Sequence, residues 1–599
     1  MHWTRRVTSI SALALLGPWA AAGQTVRSPA VAEQIAAEAV LTAMNAEMER
    51  ARALRLVSLA DDVYFIQYAL DDTENFSVRA SLGAIVSRAR TRMRVPRIDV
   101  RVGSYEFDNT NYVYSDFFAR RGFIGQAPLD DDRFALRVYF WLATDRVFKG
   151  AMAAIARKRA ALKNVTQRED LPDFSRAEPV VLIEPPRRED VSEDEWTRLV
   201  RGLSAVFARY PAVVRSQVRF ESIQATAYLM NTEGTVARYP EILHFFEFRG
   251  EGRAPDGMHV RDADVIEALR IGDLPSPDEL ERRVDETARR IQNLAAASLG
   301  EPYAGPVLFE DAAAPQLFAQ LLGENLGLTR RPVSQPGRSA DFRESELAAR
   351  LGARVLPEWM DVVDDPTLTE WDGRPLVGHY RLDLEGVEPE PVQVVEKGLL
   401  KAFLLTRQPV RNFTRSNGRA RLPGRYGANT PKFSNLIVKA RETVEPQQLR
   451  RKLLELCEQR GKPYGLVVRR LDFPSSASPE EIHRRSQRRR QQGGARLFSP
   501  PIAVYRLYPD GREELVRGLE FRRVSSRLLR DIVAASSEEH VFQFLGSNAP
   551  LSLIGAGGYI VPMSVVAPSV LVEDMELAPV ERDWPKPPVV PPPPRETVH

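Results

Sequence analysis

The side chains that most often bind zinc or act as nucleophiles are few and widely spaced in this 599-residue chain. It has one cysteine, Cys457, and seven histidines, none of which stands within a few residues of another. The histidines are His2, His244, His259, His379, His483, His540 and His599. Two zinc ligands from one turn of a helix are therefore excluded. The motifs HExxH, GxSxG and GxxxxGK(S/T) are also absent from the sequence.

Other candidate groups have ordinary structural interpretations. Cys457 lies on the apolar side of a predicted helix, and His244 lies among apolar residues of a predicted strand, so both are expected to pack in the core. The carboxylates near predicted turns could act as acids or bases, but their positions favour solvated turn residues. These carboxylates are Asp364, Asp365, Asp383 and Glu385. The basic run at 484–490 could touch an anionic surface, but it is predicted to be a solvated loop.

The composition is that of an ordinary globular protein. Hydrophobic residues make up 43% of the chain and charged residues 27%, and 83 Lys and Arg stand against 80 Asp and Glu. This near balance gives no case for nucleic-acid binding, and a single cysteine excludes an intrachain disulfide. The length predicts more than one domain.

The N-terminus has the pattern of an export signal. Arg5 and Arg6 precede an apolar stretch at 7–22, and small residues at 20–22 predict cleavage after Ala22 or Gly23. The alternative, a membrane anchor, is disfavoured because the apolar run is short and contains Gly17-Pro18. No other segment is long and apolar enough to span a bilayer. The mature protein is therefore predicted to be periplasmic or extracellular.

Helical and alternating patterns together predict an α+β fold. Helices are expected at 30–59, 130–162, 193–209, 278–298, 312–326 and 445–460. Strands are expected within 62–107, on both sides of a turn at 231–234, and at 305–311, 376–407, 432–440, 463–472, 501–507, 514–523 and 550–577. Ser192 followed by Glu195 is a capping box for the helix at 193–209.

We divide the chain into four segments on this basis. Residues 1–23 are the signal peptide, and 24–300 form an N-terminal domain with long helices packed on a sheet. The Pro-rich linker at 165–190 offers a boundary at which this domain could be subdivided. Residues 301–580 form a mainly antiparallel, β-rich domain, and 581–599 form a Pro-rich tail.

Six short segments, in order, resemble elements of the TldD/PmbA family of zinc-peptidase-related proteins. They span about residues 200–578, and their order is more specific than any one of them. They are NTEG at 231–234, GPVLFEDAAAPQLFAQLLGENLG at 305–327, DDPTL at 364–368, LDLEGVEPEPVQVVEKGLLKAFLLTRQ at 382–408, FSNLIV at 433–438 and APSVLVEDMEL at 567–577.

The sequence departs from the family where zinc-bearing members carry HExxxH and a later cysteine ligand. Ala319 and Glu324 stand at the two histidine positions, and Gln320 stands at the position of the glutamate base. The late segment at 555–562, GAGGYIVP, has no cysteine. The resemblance therefore implies that this chain has no catalytic, cofactor or metal site of its own, because an alanine cannot ligate zinc and an amide cannot accept the proton of a zinc-bound water.

The resemblance implies a PmbA-like role, in which a TldD-like subunit supplies zinc across a dimer. The expected function is that of a non-zinc subunit of an exported peptide-processing complex, with a peptide as substrate. Two alternatives remain open. One is a non-enzymatic envelope scaffold or peptide-binding homodimer, and the other is a peptidase with a relocated site that uses His244, His379 or Glu324.

Overall fold

The computed structural model describes residues 28–52, 62–113, 126–163, 170–334, 342–491, 497–556, 558–580 and 590. The predicted signal peptide at 1–23 lies outside these residues, as does the Pro-rich tail at 581–599 except for residue 590. Among the described helices, none is both long and apolar enough to cross a membrane.

The first half of the chain is a six-stranded sheet with helices on one face. Its strands follow the order β2-β1-β4-β5-β3, and β6 also pairs with β5. The strands are β1 (Val63–Ser81), β2 (Ala84–Val102), β3 (Val181–Ile183), β4 (Val213–Asn231), β5 (Val236–Arg253) and β6 (His259–Ala268). The helices are α1 (Pro29–Ala36), α2 (Ala39–Ala51), α3 (Arg133–Leu162), α4 (Glu193–Val206) and α5 (Pro277–Ala296). Only the short β3 pairs in parallel, so the sheet is almost wholly antiparallel.

Two apolar clusters join these helices to the sheet. In one, α2 and α3 pack on β1, β2 and β4 through residues such as Met44, Phe140 and Tyr68. In the other, α4 and α5 pack on β4 and β5 through residues such as Phe220 and Ile291. The predicted arrangement of long helices on a sheet is confirmed.

The second half is organised around a twelve-stranded sheet. The longest path through it is β13-β12-β9-β16-β22-β8-β17-β18-β19-β7, and β20 and β21 pair with β22. Its strands are β7 (Ser298–Leu299), β8 (Tyr303–Phe309), β9 (Met360–Asp364), β12 (Val392–Glu396), β13 (Leu399–Leu400), β16 (Asn435–Ala440), β17 (Gly465–Leu471), β18 (Pro501–Leu507), β19 (Glu513–Arg517), β20 (Leu519–Arg522), β21 (Ile532–Gly546) and β22 (Val561–Pro579). Two small hairpins add β10 (Glu370–Trp371) with β11 (Arg374–Pro375) and β14 (Ala420–Leu422) with β15 (Thr430–Pro431).

In the described part of the second half, four α-helices accompany this sheet, and most of its strand pairs are antiparallel, as predicted. The helices are α6 (Ala313–Phe318), α7 (Glu324–Leu326), α8 (Pro446–Gln459) and α9 (Pro479–Gln491). The pairs β16–β22, β8–β17 and β7–β19 are parallel. The largest apolar core of the chain lies here and includes Phe309, Leu317 and Val570.

Several elements differ from the sequence prediction. The single helix expected at 30–59 is broken within its described part, 30–52, because Glu38 is extended and its side chain caps α2 at Leu41 N. Residues 53–59 lie outside the described residues. Most of 376–407 is irregular, with only β12 and β13 as strands. The basic run predicted as a solvated loop is helix α9, since arginine is itself a good helix former. Strand β21 was not predicted.

Buried ion pairs connect the two halves. Arg261 of β6 pairs with Asp472 at 3.0 Å and with Glu481 of α9 at 2.6 Å. Arg407 of the second half pairs with Glu233 of the first at 2.6 Å, and the Arg407 side chain is fully buried. These contacts fix the position of one sheet relative to the other.

Candidate functional site

The segment at the zinc-motif position is a helix with a π-helical turn. Helix α6 continues into a π-helical turn at Ala319–Gly323 and then into α7. The backbone N–H of Glu324 donates to the carbonyl of Ala319, five residues earlier. Residues 319 and 324 are therefore stacked on one side of the helix, as two ligands of one ion would have to be.

This side of the helix contributes to a cavity of about 510 Å³. Gln320 and Glu324 line the cavity, whereas Ala319 is completely buried. The opposite walls come from the β14–β15 hairpin, from the loop between these strands and from the segment at 547–552. The structure thus brings two of the three predicted positions to the surface of one cavity.

Gln320 is fixed by hydrogen bonds at both ends of its amide. Its Nε2 donates to the carbonyl of Gln316 at 3.1 Å, and its Oε1 accepts from the backbone N–H of Ser499 at 2.9 Å. Because an amide oxygen does not accept a proton at neutral pH and this one already has a donor, Gln320 cannot serve as a general base.

Glu324 is paired with a lysine that sequence reasoning missed. Lys432 Nζ donates to both carboxylate oxygens of Glu324, at 2.6 and 2.7 Å. The lysine side chain is only 9% exposed and that of Glu324 is 26% exposed. An ammonium group thus neutralises the one carboxylate at the motif position, and no sequence signal identifies a partner 108 residues away.

The residues present do not fit a zinc site at this position. A structural or catalytic zinc needs at least three protein ligands. Within the residues that the structure describes, no group of three or more His, Cys, Asp and Glu side chains is placed to hold a metal ion. The late segment at 555–562 contacts the first sheet instead, where Arg97 donates to Tyr559 Oη at 3.0 Å.

Arg330, a second cation of the cavity wall, connects this wall to residues 171–173 and to Asn111. It donates to the carbonyls of Leu171 and Pro172 and to the carboxylate of Asp173. It also donates to the side-chain oxygen of Asn111 at 2.7 and 2.8 Å when the amide is oriented to satisfy its hydrogen bonds. Arg330 therefore has a structural role at the edge of the cavity.

Residues 303–470 match the sequence family described as the PmbA/TldA metallopeptidase C-terminal domain. This part of the chain is a TldD/PmbA-type domain. Two solved structures share the fold over most of the chain. A proposed modulator of a DNA gyrase from Thermotoga maritima has a TM-score of 0.53 and 17% identity, covering 89% of this chain and 100% of that one. TldE from Thermococcus kodakarensis has a TM-score of 0.53 and 15% identity, covering 90% and 100%.

Archaeal proteins named metalloprotease are also similar in sequence. The relative from Methanothermobacter thermautotrophicus is 25% identical over 209 residues, which cover 34% of this chain and 41% of the relative. The relative from Archaeoglobus fulgidus is 37% identical over 78 residues, covering 13% and 17%. The matched parts therefore span less than half of the length of these relatives.

The NTEG element of the TldD/PmbA resemblance is a hydrogen-bonded turn. Asn231 Oδ1 accepts from the backbone N–H groups of Glu233, Gly234 and Thr235, at 3.0 to 3.1 Å. The carboxylate of Glu233 accepts from Tyr105 Oη and from Arg407. The residue types of this element are thus explained by the turn and by its attachment to the second half.

Three carboxylates in other TldD/PmbA-like elements are buried, so the prediction of solvated turn residues is wrong for them. Asp364 is fully buried and accepts from Arg419 Nε and from the backbone N–H of Ser434, both at 2.7 Å. Burial and the carboxylate of Glu385 raise the pKa of Asp383 to about 7. Burial also raises the pKa of Glu385, although its side chain accepts from the Arg407 backbone.

The remaining candidates are separate from the cavity of the TldD/PmbA-type domain. His244 is buried in β5 and contacts Glu189 at 3.0 Å, and burial lowers its pKa. Burial also lowers the pKa of His379. Cys457 is buried in α8, as predicted, and burial raises the pKa of its thiol. None of the three lines the cavity that holds Glu324.

Proposed function

We propose that this chain is the metal-free subunit of an exported peptide-processing complex in which a related, zinc-bearing chain supplies the metal. One observation carries the proposal. A cavity lies at the zinc-motif position, but its side chains there are an engaged amide and a carboxylate neutralised by Lys432. The names of the matched family and of the archaeal relatives support a role in peptide hydrolysis.

In this proposal, the residues at the motif position contribute to the shape and the charge of the cavity. With Glu324 paired to Lys432, the cavity also carries Arg343 and Arg425 on its walls. Such a cavity has hydrogen-bonding groups and positive charge for the backbone carbonyls and carboxylates of a peptide. The chemical step itself belongs, in this proposal, to the zinc of the partner chain.

The complex can be tested by retrieving the tagged full chain from a native envelope extract. We expect a partner chain to copurify and the complex to contain about one zinc for each pair of chains, with peptide cleavage by the mixture. A homodimer without zinc and without cleavage would favour the scaffold alternative. Stoichiometric zinc on the isolated chain would contradict the proposal directly.

Export is tested by sequencing the N-terminus of the mature protein. Cleavage after Ala22 or Gly23 gives a chain that begins at Gly23 or Gln24. A mature chain that retains Arg5 and Arg6 would contradict the proposed cleavage and favour an anchor.

A further inference from the structure

A second cavity, of about 700 Å³, lies between the two halves of the chain. Residues of β6 and α9 line it, together with residues of β20. The apolar part of its lining includes Phe498, Ile502, Leu519 and Phe521. The size is within the range of cavities that bury a small molecule or a few residues of peptide.

The carboxylates that line this cavity are all neutralised. Each of the four forms an ion pair with an arginine of the same cavity, at 2.6 to 3.3 Å. The pairs are Glu251 with Arg215, Asp472 with Arg261, Glu481 with both Arg261 and Arg485, and Glu520 with Arg522, so four arginines stand against the four carboxylates. The acidic side chains therefore do not compensate any further positive charge of the lining.

Two arginines of α9 provide such further charge. Arg484 and Arg488 are exposed and line the cavity, and no described residue forms a hydrogen bond or an ion pair within 4 Å with either of them. Glu480, four residues before Arg484, interacts with it only through space. The two arginines stand one helical turn apart, so their side chains leave the same face of α9 about 5 to 6 Å apart at Cβ. The neighbouring Arg485, in contrast, is bonded to Glu481.

We propose that this cavity binds an extended peptide segment with the pattern acidic–apolar–acidic. Alternate side chains of an extended peptide point to one side and are about 6.6 Å apart, which matches two arginines separated by one helical turn. The intervening side chain points to the opposite side and is available to the apolar residues of the lining. Guanidinium groups bind carboxylates through paired, charge-assisted hydrogen bonds.

The choice of a peptide rests on the proposed function, whereas the charge and shape of the cavity do not. Arg484 and Arg488 do not contribute to the cavity at the motif position, because they line the second cavity and not the first. The same helix separates the two cavities, since Ser486 lines the first one. A peptide held here would therefore pass beside the first cavity.

The test measures binding of fluorescein-labelled Gly-Glu-Leu-Glu-Gly to the full chain by fluorescence anisotropy. The peptide Gly-Glu-Glu-Leu-Gly has the same composition but directs its acidic side chains to opposite sides. We expect the first peptide to bind more tightly, and the substitutions Arg484→Gln and Arg488→Gln together to weaken it by at least about tenfold. Higher salt should weaken binding as well.

A matched control removes the same charge elsewhere. Arg451 and Lys452 are exposed on α8 and line neither cavity. The combined Arg451→Gln and Lys452→Gln variant should bind the peptide as the unmodified chain does. Equal loss in this control would mean that net charge alone is responsible, and it would overturn the proposal.

Further outcomes would also overturn the inference. These are equal binding of the two peptides, no effect of the Arg484 and Arg488 substitutions, or tighter binding of inorganic phosphate than of the peptide. A loss of binding on Lys432→Met would assign the peptide to the first cavity instead. Zinc content and copurification of a partner test the proposed function independently, so the two claims can fail separately.

Discussion

At the scale of single residues, the ion pair between Glu324 and Lys432 defines the candidate site. Nearly all of the lysine side chain is removed from solvent, and the Glu324 carboxylate compensates its charge. Removing one partner of such a pair leaves a charge without compensation, which costs more than replacing both partners. The pair therefore gives a physical reason for the residue types at these positions.

This reasoning predicts strong coupling between the two residues. Glu324→Gln and Lys432→Met should each lower the free energy of unfolding, and the double variant should lose less than the sum of the two by about 1 to 3 kcal/mol. Urea denaturation of the three variants measures this coupling. Additive losses would show that the pair contributes little to stability.

A second residue-scale prediction concerns Glu267 in β6. The side chain is 6% exposed, its Oε1 has no hydrogen-bond partner among the described residues, and burial, with the nearby Asp264 carboxylate, raises its pKa to about 8. The folded chain therefore holds a proton that the unfolded chain releases above about pH 4.3. Its contribution to stability is present at low pH and is lost as the pH rises through about 8.

Glu267→Gln should remove this dependence, because glutamine resembles the protonated acid. Between pH 5 and pH 8.5, the variant should gain about 1 to 3 kcal/mol in unfolding free energy relative to the unmodified chain. Urea denaturation at the two pH values measures the difference. The exposed Glu455 provides the control, since Glu455→Gln should follow the unmodified chain at both values. An unchanged difference for Glu267→Gln would refute the assignment.

The sequence located the motif positions but not their surroundings. Ala319, Gln320 and Glu324 could be found because their neighbours resemble a known helix and strand. Lys432 could not, because its pairing with Glu324 depends on the tertiary fold. The same limit explains the error on Asp364, whose burial depends on Arg419, 55 residues later in the chain.

At the scale of elements, the π-helical turn sets the direction of the motif positions. Gly323 lies in this turn, and a Cβ at that position would clash with the ring of Phe433. Helix propensity alone favours alanine over glycine. Any destabilisation caused by Gly323→Ala would therefore come from the contact with Phe433 and not from the backbone.

Gly323→Ala should therefore destabilise the chain by about 1 to 3 kcal/mol through overpacking. Gly202 of α4 is the matched control. Apart from its two chain neighbours and the nearby backbone of its own helix, no described atom lies within 4 Å of a Cβ built there. Gly202→Ala should be neutral or stabilising by up to about 1 kcal/mol. Thermal or urea unfolding compares the two variants, and a stabilising Gly323→Ala would contradict the packing described.

Elements with strong local signals were predicted well. Helix α4 begins where its capping box indicated, with Ser192 Oγ accepting from the Glu195 backbone, and the turn at 231–234 joins β4 to β5. Strand β21 was missed because its middle, with Ser536, Ser537 and Glu538, interrupts the alternation of apolar residues, and a bulge in the pairing with β22 accommodates it.

At the scale of the whole molecule, buried arginines join the two halves. Arg407 donates to the carbonyl of Ser175 and to Glu233, and its guanidinium lies 4.0 Å from the ring centroid of Phe174. Because these partners all belong to the first half, the stability of the two halves should be linked through this side chain.

Arg407→Met should lower the free energy of unfolding by about 3 to 5 kcal/mol, since it leaves Glu233 buried without its cation. Arg354→Met is the control, because among the described residues the Arg354 side chain forms just an exposed pair with Glu358, at 3.4 Å, and its loss should cost at most about 1 kcal/mol. Urea unfolding followed by tryptophan fluorescence measures both. Equal effects would show that the buried contact does not join the halves.

The central proposal is that this chain binds no zinc of its own at the cavity lined by Gln320 and Glu324. Zinc content of the purified full chain, measured by inductively coupled plasma mass spectrometry after dialysis against metal-free buffer, tests it most directly. The account predicts less than about 0.1 zinc per chain, because an apo site would need three ligands and the motif position offers only a paired carboxylate. One zinc per chain, lost on Glu324→Gln, would contradict it.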